Sequence, residues 1–401
     1  MQDSDLASER ATDQAEKADV SIVVSQIVLD RFTKLPRNGK PSDAQWTVLA
    51  GLVAVPTGRH FEQAKLISLS TGTKCLGRSQ RRPGLVADSH AEVLARRLFN
   101  RQLLDEVHTI VRGKSSSFLS IEPDGRCAWR EDRYSLYMYV SHAPCGDSVI
   151  CNKDRTKSCG LALDDTVALD INRTGAKPVP LGGQDPLRPG KGYHTIGLLR
   201  TKPGRGESTN SMSCSDKISR WVACGIQSRL LGAFLARPIP LAGLIIGGEV
   251  FDESALRRAI VERHSCPLDT LKIMPAPHSF VFRHGRRQGA ECCCTSLLVR
   301  VNNQEVAVDG RRHGVVKKFI GTPKAELGIC RRQLLMAFRD LVHDMLENGD
   351  VRANVRLAPL LTTSYAETKE KATPAWLAER RSLFDSKMPH WTCKEGQDFS
   401  L

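Results

Sequence analysis

The sequence predicts an α/β fold for its 401 residues. Aromatic or β-branched runs such as YSLYMYV (134–140) and LAGLIIGG (241–248) have the length and composition of strands. They alternate with segments of three-and-four apolar spacing, clearest in HAEVLARRLFNRQLL (90–104). No internal repeat, heptad run or compositional break divides the chain. One large domain is therefore expected over 19–401, after a polar, disordered tail at 1–18.

Taken in order, SIVVSQIVLDRF (21–32) has helical length, although its β-branched content weakens that reading. KLPRNGKPSD is a loop by its Pro, Asn and Gly, and WTVLAGLVAV and AKLISLS read as buried strands joined near Pro56–Gly58. The helix at 90–104 can be capped by Asp88 or Ser89, which puts His90 in its first turn. YSLYMYV runs into PCGDSVI, where Pro144 ends the strand and a new helix is expected. Residues 172–207 hold eight Gly, five Pro, seven Lys or Arg and two acids without any periodicity, which predicts a basic loop that contacts phosphate. Helical spacing resumes in SCSDKISRWVACGIQSRLLGAFL. A strand (LAGLIIGG), a helix (DESALRRAIVER) and two strands (CTSLLVRV, EVAVD) follow. A Lys/Arg-bearing turn at 311–318, a helix from about Ala325 to Leu346 and an amphipathic end, SYAETKEKATPAWLAERRSLF, complete the order.

The charge is +14, but residues 1–20 carry six acids and two bases, so residues 21–401 carry +18. Such a surface expects an anionic partner, nucleic acid first. MQDSDLASER is not a signal peptide, and no apolar run reaches the roughly 20 residues of a membrane span. Thirteen cysteines without a secretory leader fit free thiols or metal ligands in the cytoplasm or nucleus.

His90-Ala91-Glu92 places an imidazole and a carboxylate in one first turn, a metal ligand beside a proton carrier. The thiol of Cys145, in Pro144-Cys145-Gly146-Asp147, and that of Cys214, in SCSDK, each lie at an expected helix start, where backbone N–H groups favour thiolate. A His/Cys/Cys set leaves the fourth position of zinc open for water, as a catalytic site requires. With a nearby Glu, this is the donor set of nucleobase deaminases. Spacing alone does not select Cys214 over Cys151 or Cys159.

The segments STGTKC (70–75), DSHAEVLARR (88–97), SHAPCGD (141–147) and MSCSDKISRW (212–221) resemble, in order, the catalytic domain of RNA-editing adenosine deaminases, and more closely its tRNA branch. The resemblance covers about 20–401. It implies a cytidine-deaminase-like core, a central mixed sheet flanked by helices, enlarged into one adenosine-to-inosine editase domain. It also implies zinc on His90, Cys145 and Cys214, with Glu92 as proton shuttle for hydrolysis at C6 of adenine. A buried inositol hexakisphosphate is implied as well, on Arg96, Arg97, Lys217, Arg220 and Trp221, and farther along on Arg331, Lys369, Arg380 and Lys394. Independently, buried Lys and Arg are costly unless an anion neutralises them. Two departures stand out: Ala87-Asp88-Ser89 replaces the usual Asn-Asp-Cys, and Arg380 stands where Lys is usual.

Thr73 and Lys74 are expected beside the site, and His194 and Arg205 are expected RNA contacts from the basic loop. His142 is expected to be packed or substrate-facing, and Cys292–Cys294 to be buried strand residues. With about 20 residues before the first helix, no double-stranded RNA module is expected there. The resemblance thus implies tRNA as substrate, specifically adenosine 37 beside the alanine anticodon, with no membrane or DNA partner. Duplex pre-mRNA deamination and a silent RNA-binding protein are the alternatives; Glu92 beside a complete ligand set speaks against the second.

Overall fold

The structure is a computed structural model. It describes the chain except residues 1, 59, 151–174, 180–182, 184, 186–193, 205–206, 265–270, 286–288, 302, 351–352 and 393–397, and except the side chains of 2–15 and 354. Eight strands form the central sheet: β1 (Leu49–Pro56), β2 (Lys65–Thr71), β3 (Tyr134–Val140), β4 (Gly243–Ile246), β5 (Lys272–Pro275), β6 (Thr295–Arg300), β7 (Asn303–Val308) and β8 (Arg311–Arg312). Their order is β5-β4-β3-β1-β2-β6-β7-β8. β3, β4 and β5 are parallel, and every pairing from β3–β1 onward is antiparallel, so the sheet is mixed as expected.

Alternate strand residues feed two apolar layers. Ala50, Leu52, Ile67 and Met138 meet Ala91, Ala95 and Phe99 of helix α2 (Ala91–Val111). Leu49, Val53, Leu69 and Tyr139 meet Val20, Val24, Val28 and Phe32 of helix α1 (Gln2–Lys34). Those four residues are four apart, which makes one continuous stripe, whereas Ile22 is exposed. Gly51 lets α1 close on the sheet, because a Cβ there would lie 2.7 Å from Val28 Cγ2.

The helix expected at 21–32 thus begins at Gln2, within the segment read as a disordered tail. Ala, Glu, Gln and Lys, all good helix formers, are frequent there and extend a helix already anchored on the sheet. The 90–104 helix continues to Val111, while the one expected from Ala325 starts at Arg331 as helix α4 (Arg331–Glu347). Pro323 belongs to a preceding 3₁₀ turn, and the Cys330 side chain accepts from Gln333 N–H to cap α4. Pro374 divides the last amphipathic segment into a short helix, Tyr365–Lys371, and α5 (Ala375–Lys387). SCSDK opens helix α3 (Cys214–Cys224). After PCG the described chain forms only a 3₁₀ turn, Asp147–Val149. Among the described residues no helix is long and apolar enough to cross a membrane.

The 172–207 segment departs most from expectation. Lys177–Pro178 and Arg200–Pro203 join Ser208–Met212 in a three-stranded antiparallel sheet. Arg200 and Lys202 are fully buried and paired with acids, so these two bases do not face RNA.

Candidate active site

Three chain ends converge at the metal-ligating cluster. A short strand, Asp88–His90, pairs with Thr73–Cys75 and delivers His90 to the N-cap of α2. Cys145 follows β3, and Cys214 is the first residue of α3. Gly146 makes the turn after Cys145 with φ 116°, and a Cβ there would lie 2.3 Å from Ser213 Oγ, so the two cysteine segments close only on glycine. Ser213 caps α3 by accepting from Asp216 N–H at 3.2 Å.

His90 Nδ1 lies 3.8 Å from Cys145 Sγ and 3.6 Å from Cys214 Sγ. The ligand atoms of the three residues lie within 4.8 Å of one another, as a single ion needs. Cys214 N–H, at the head of α3, points at Cys145 Sγ from 3.4 Å. Hydrogen bonding with Cys214 outweighs burial and, with the positive His90, holds the Cys145 thiol well below its ordinary pKa. Burial lowers the basicity of His90, but the Cys145 thiolate and the hydrogen bonds that the ring donates to Cys145 and Cys75 reverse this and raise its pKa to about 10. One imidazole nitrogen and two sulfurs at this spacing are donors of the kind zinc takes.

Glu92, in the first turn of α2, is 3% exposed, and its Oε2 has no hydrogen-bond partner. Burial raises its pKa. A carboxyl so placed holds a proton more readily than an exposed one, which suits a general acid and base. A second trio, Cys75, Asp88 and His90, also has metal-ligand spacing. Two ammonium groups already occupy Asp88, so this trio does not fit a cation.

Of those ammonium groups, Lys202 escaped the sequence reading, and Lys217 was expected only on the polyphosphate. Lys202 Nζ donates to both Asp88 oxygens at 3.0 Å, and Lys217 Nζ bonds Asp88 and, at 2.7 Å, Ser211 Oγ. Asp88 Oδ1 also accepts from His90 N–H at 3.1 Å. Burial works against the Asp88 charge, yet Lys202 and Lys217 hold its carboxyl well below the usual range. The chain His90–Asp88–Lys217 leads from the ligand cluster into a cavity of about 760 Å³.

Nine bases line this cavity. Six of them were expected, Arg96, Arg97, Lys217, Arg220, Arg331 and Lys369, and the expected Trp221 lines it too. Arg81, Arg229 and Arg381 were not anticipated. Arg380 is a correction: it donates to Ala223 O at 3.1 Å and does not line the cavity, whereas Arg381, one residue farther round the helix, does. Lys394 lies outside the described residues. Arg96 sits over Trp221 at 5.1 Å and Arg220 over Trp391 at 4.6 Å. The Nε atoms of Arg81, Arg220, Arg229 and Arg381 are buried without hydrogen-bond partners. Burial first, then mutual repulsion, lowers the pKa of Arg96 to about 9, Lys369 to about 8 and Arg381 to about 10. Crowded bases with orphaned donors fit a polyanion.

At the opposite flank, Thr73 Oγ1 lies 2.7 Å from Cys292 Sγ, and Lys74 lines a smaller cavity of about 370 Å³. Of the adjacent thiols only Cys293 is buried; Cys292 is half-buried and Cys294 exposed, contrary to expectation. Exposed His142 stands against Gly248, with its Nδ1 3.4 Å from where a Cβ there would lie. His194 is a further correction: its Nδ1 faces Asp185 Oδ2 at 3.1 Å, a partner that also binds Arg200. Arg205 lies outside the described residues.

The geometry agrees with comparisons to known proteins. A family model described as the adenosine-deaminase (editase) domain matches residues 68–395. A protein of Drosophila melanogaster called tRNA-specific adenosine deaminase 1 is 33% identical, over 92% of this chain and 94% of its own. Its mouse namesake is 28% identical over 87% and 93%. The Drosophila double-stranded RNA-specific editase Adar is 30% identical over 58% of this chain and 34% of its own.

Proposed function

The chain belongs to the adenosine-deaminase (editase) family and is an adenosine deaminase, and from that premise we propose that it converts adenosine to inosine in tRNA, at position 37 of alanine tRNA. Glu92 carries this reading: a buried carboxyl with an unpartnered oxygen, beside His90, Cys145 and Cys214. Coverage favours tRNA over duplex RNA, because the match spans nearly all of the Drosophila and mouse relatives named for tRNA but about a third of the Drosophila duplex editase.

His90, Cys145 and Cys214 would hold zinc. When bound there, zinc supplies a Lewis acid that makes water a nucleophile near neutral pH. Glu92 accepts a proton from that water and delivers one to the adenine ring nitrogen as water adds at C6. It then assists the amino group to leave, so adenosine and water give inosine and ammonia. Burial raises the proton affinity of Glu92, which favours its taking the proton of the water.

The nine-base cavity would hold inositol hexakisphosphate, whose phosphate oxygens would give its orphaned guanidinium donors their acceptors. Through Lys217 and Asp88, an anion there would help to fix His90.

The test is to incubate the purified protein with a tRNA pool and sequence the inosines. A single modified position beside the alanine anticodon supports the reading. Inosine in duplex RNA instead, or none from zinc-loaded protein, overturns it.

A further inference from the structure

Resting on the RNA-deaminase reading, we propose that residues 311–324 form a second RNA interface, which grips phosphates flanking the edited nucleotide. Between Arg311 and Ala325 the chain carries five Lys or Arg and no acid. Arg312 is paired with Glu305 at 2.7 Å, but Lys317, Lys318 and Lys324 are exposed and have no acidic partner among the described residues. Lys318 and Lys324 both lie over the Phe319 ring, 5.1 and 4.4 Å from its centroid. One aromatic ring thus holds two ammonium groups close together, a spacing that a single-sign surface resists unless something negative joins it.

The segment is ordered in shape and fixed in place. Two consecutive 3₁₀ turns, Lys317–Phe319 and Pro323–Ala325, are joined by Thr322 N–H donating to Phe319 O at 3.0 Å. At its start, Val86 N–H donates to Gly310 O at 2.8 Å, which ties the hairpin to the stretch that delivers His90. Residues of both line the smaller cavity: Lys74, Arg82 and Ser89 from the stretch around His90, and Asp309, Gly310 and Arg311 from the hairpin. Lys74, Arg82 and Arg311 give this cavity three bases against one acidic lining residue, Asp309, and Arg311 begins the segment that carries the lysines. Phosphodiester backbone is the anion this spacing suits, because it presents one charge after another along a line.

The experiment compares zinc-loaded parent protein with a Lys317→Gln/Lys318→Gln/Lys324→Gln variant and a matching Lys→Arg variant. The readouts are tRNA affinity from about 0.05 to 0.3 M salt and turnover at saturating tRNA. The glutamine variant should bind at least about tenfold more weakly, and its log–log salt slope should flatten by about 2–3 for three lost phosphate contacts. Turnover at saturation should be unchanged, and the arginine variant should match the parent. Equal affinity and slope in the glutamine variant, with a parent that deaminates tRNA, would overturn this interface and leave the function standing. A parent that neither binds nor deaminates tRNA would remove the function and this interface with it. If the substitutions abolish binding to anionic vesicles or an acidic peptide while tRNA binding is unchanged, the segment serves another partner and the proposal fails.

Discussion

Lys202 Nζ stands 3.0 Å from each carboxylate oxygen of Asp88, and both residues are buried. Lys217 shares the same carboxylate. Asp88→Ala would leave two buried ammonium groups without a counterion and cost about 3–5 kcal/mol. Urea denaturation measures this, and a loss under 1 kcal/mol would show that the pairs are not what holds these lysines.

The metal centre gives a second expectation. Elemental analysis of active protein should find about one zinc per chain, and Cys145→Ser or Cys214→Ser should lose it. Chelation should lower the thermal midpoint, since the ion would join the heads of α2 and α3 to the segment after β3. Active protein free of zinc would refute the assignment.

Glu92→Gln should keep zinc and fold but lower inosine formation by about 10²–10⁴. Gln fills the same volume, so far-UV dichroism and metal content should match the parent. Near-normal turnover would take proton transfer away from Glu92.

The cavity makes a pH-dependent prediction. Burial, then Arg229, Arg381, Arg331 and Arg97, lowers the pKa of Lys369 to about 8 from 10.5. From about pH 8 to 10.5 the unfolded chain holds a proton that the folded one has released, so this group makes stability rise with pH across that window. A polyanion in the cavity pulls the proton back. Binding of inositol hexakisphosphate near pH 8.5 should therefore take up protons, seen by calorimetry in buffers of different ionisation enthalpy. Proton release would contradict this placement.

What was legible in the sequence was local. His90 and Glu92 occupy one turn, Cys145 follows a readable strand, and Cys214 opens a readable helix, so each motif carried its own structural setting. Asp88 and Lys202 are 114 residues apart, and nothing in either segment marks them as partners. The choice between Arg380 and Arg381 depends on the rotation of α5, which neighbouring identical residues cannot disclose. Arg200 looked like part of an RNA-facing loop because composition does not reveal Asp185, its buried partner fifteen positions earlier.

The sheet also sets a timetable. Leu298 of β6 pairs with Ser70 of β2, 228 residues earlier. At about 5–20 residues per second, a ribosome takes on the order of 10–50 s to span that interval. Throughout it, the β2 edge that β6 later covers has open backbone groups and apolar neighbours on both faces. A newborn chain therefore passes through a long sticky stage before its centre can close, and its yield in a cell depends on how well that edge is shielded during synthesis.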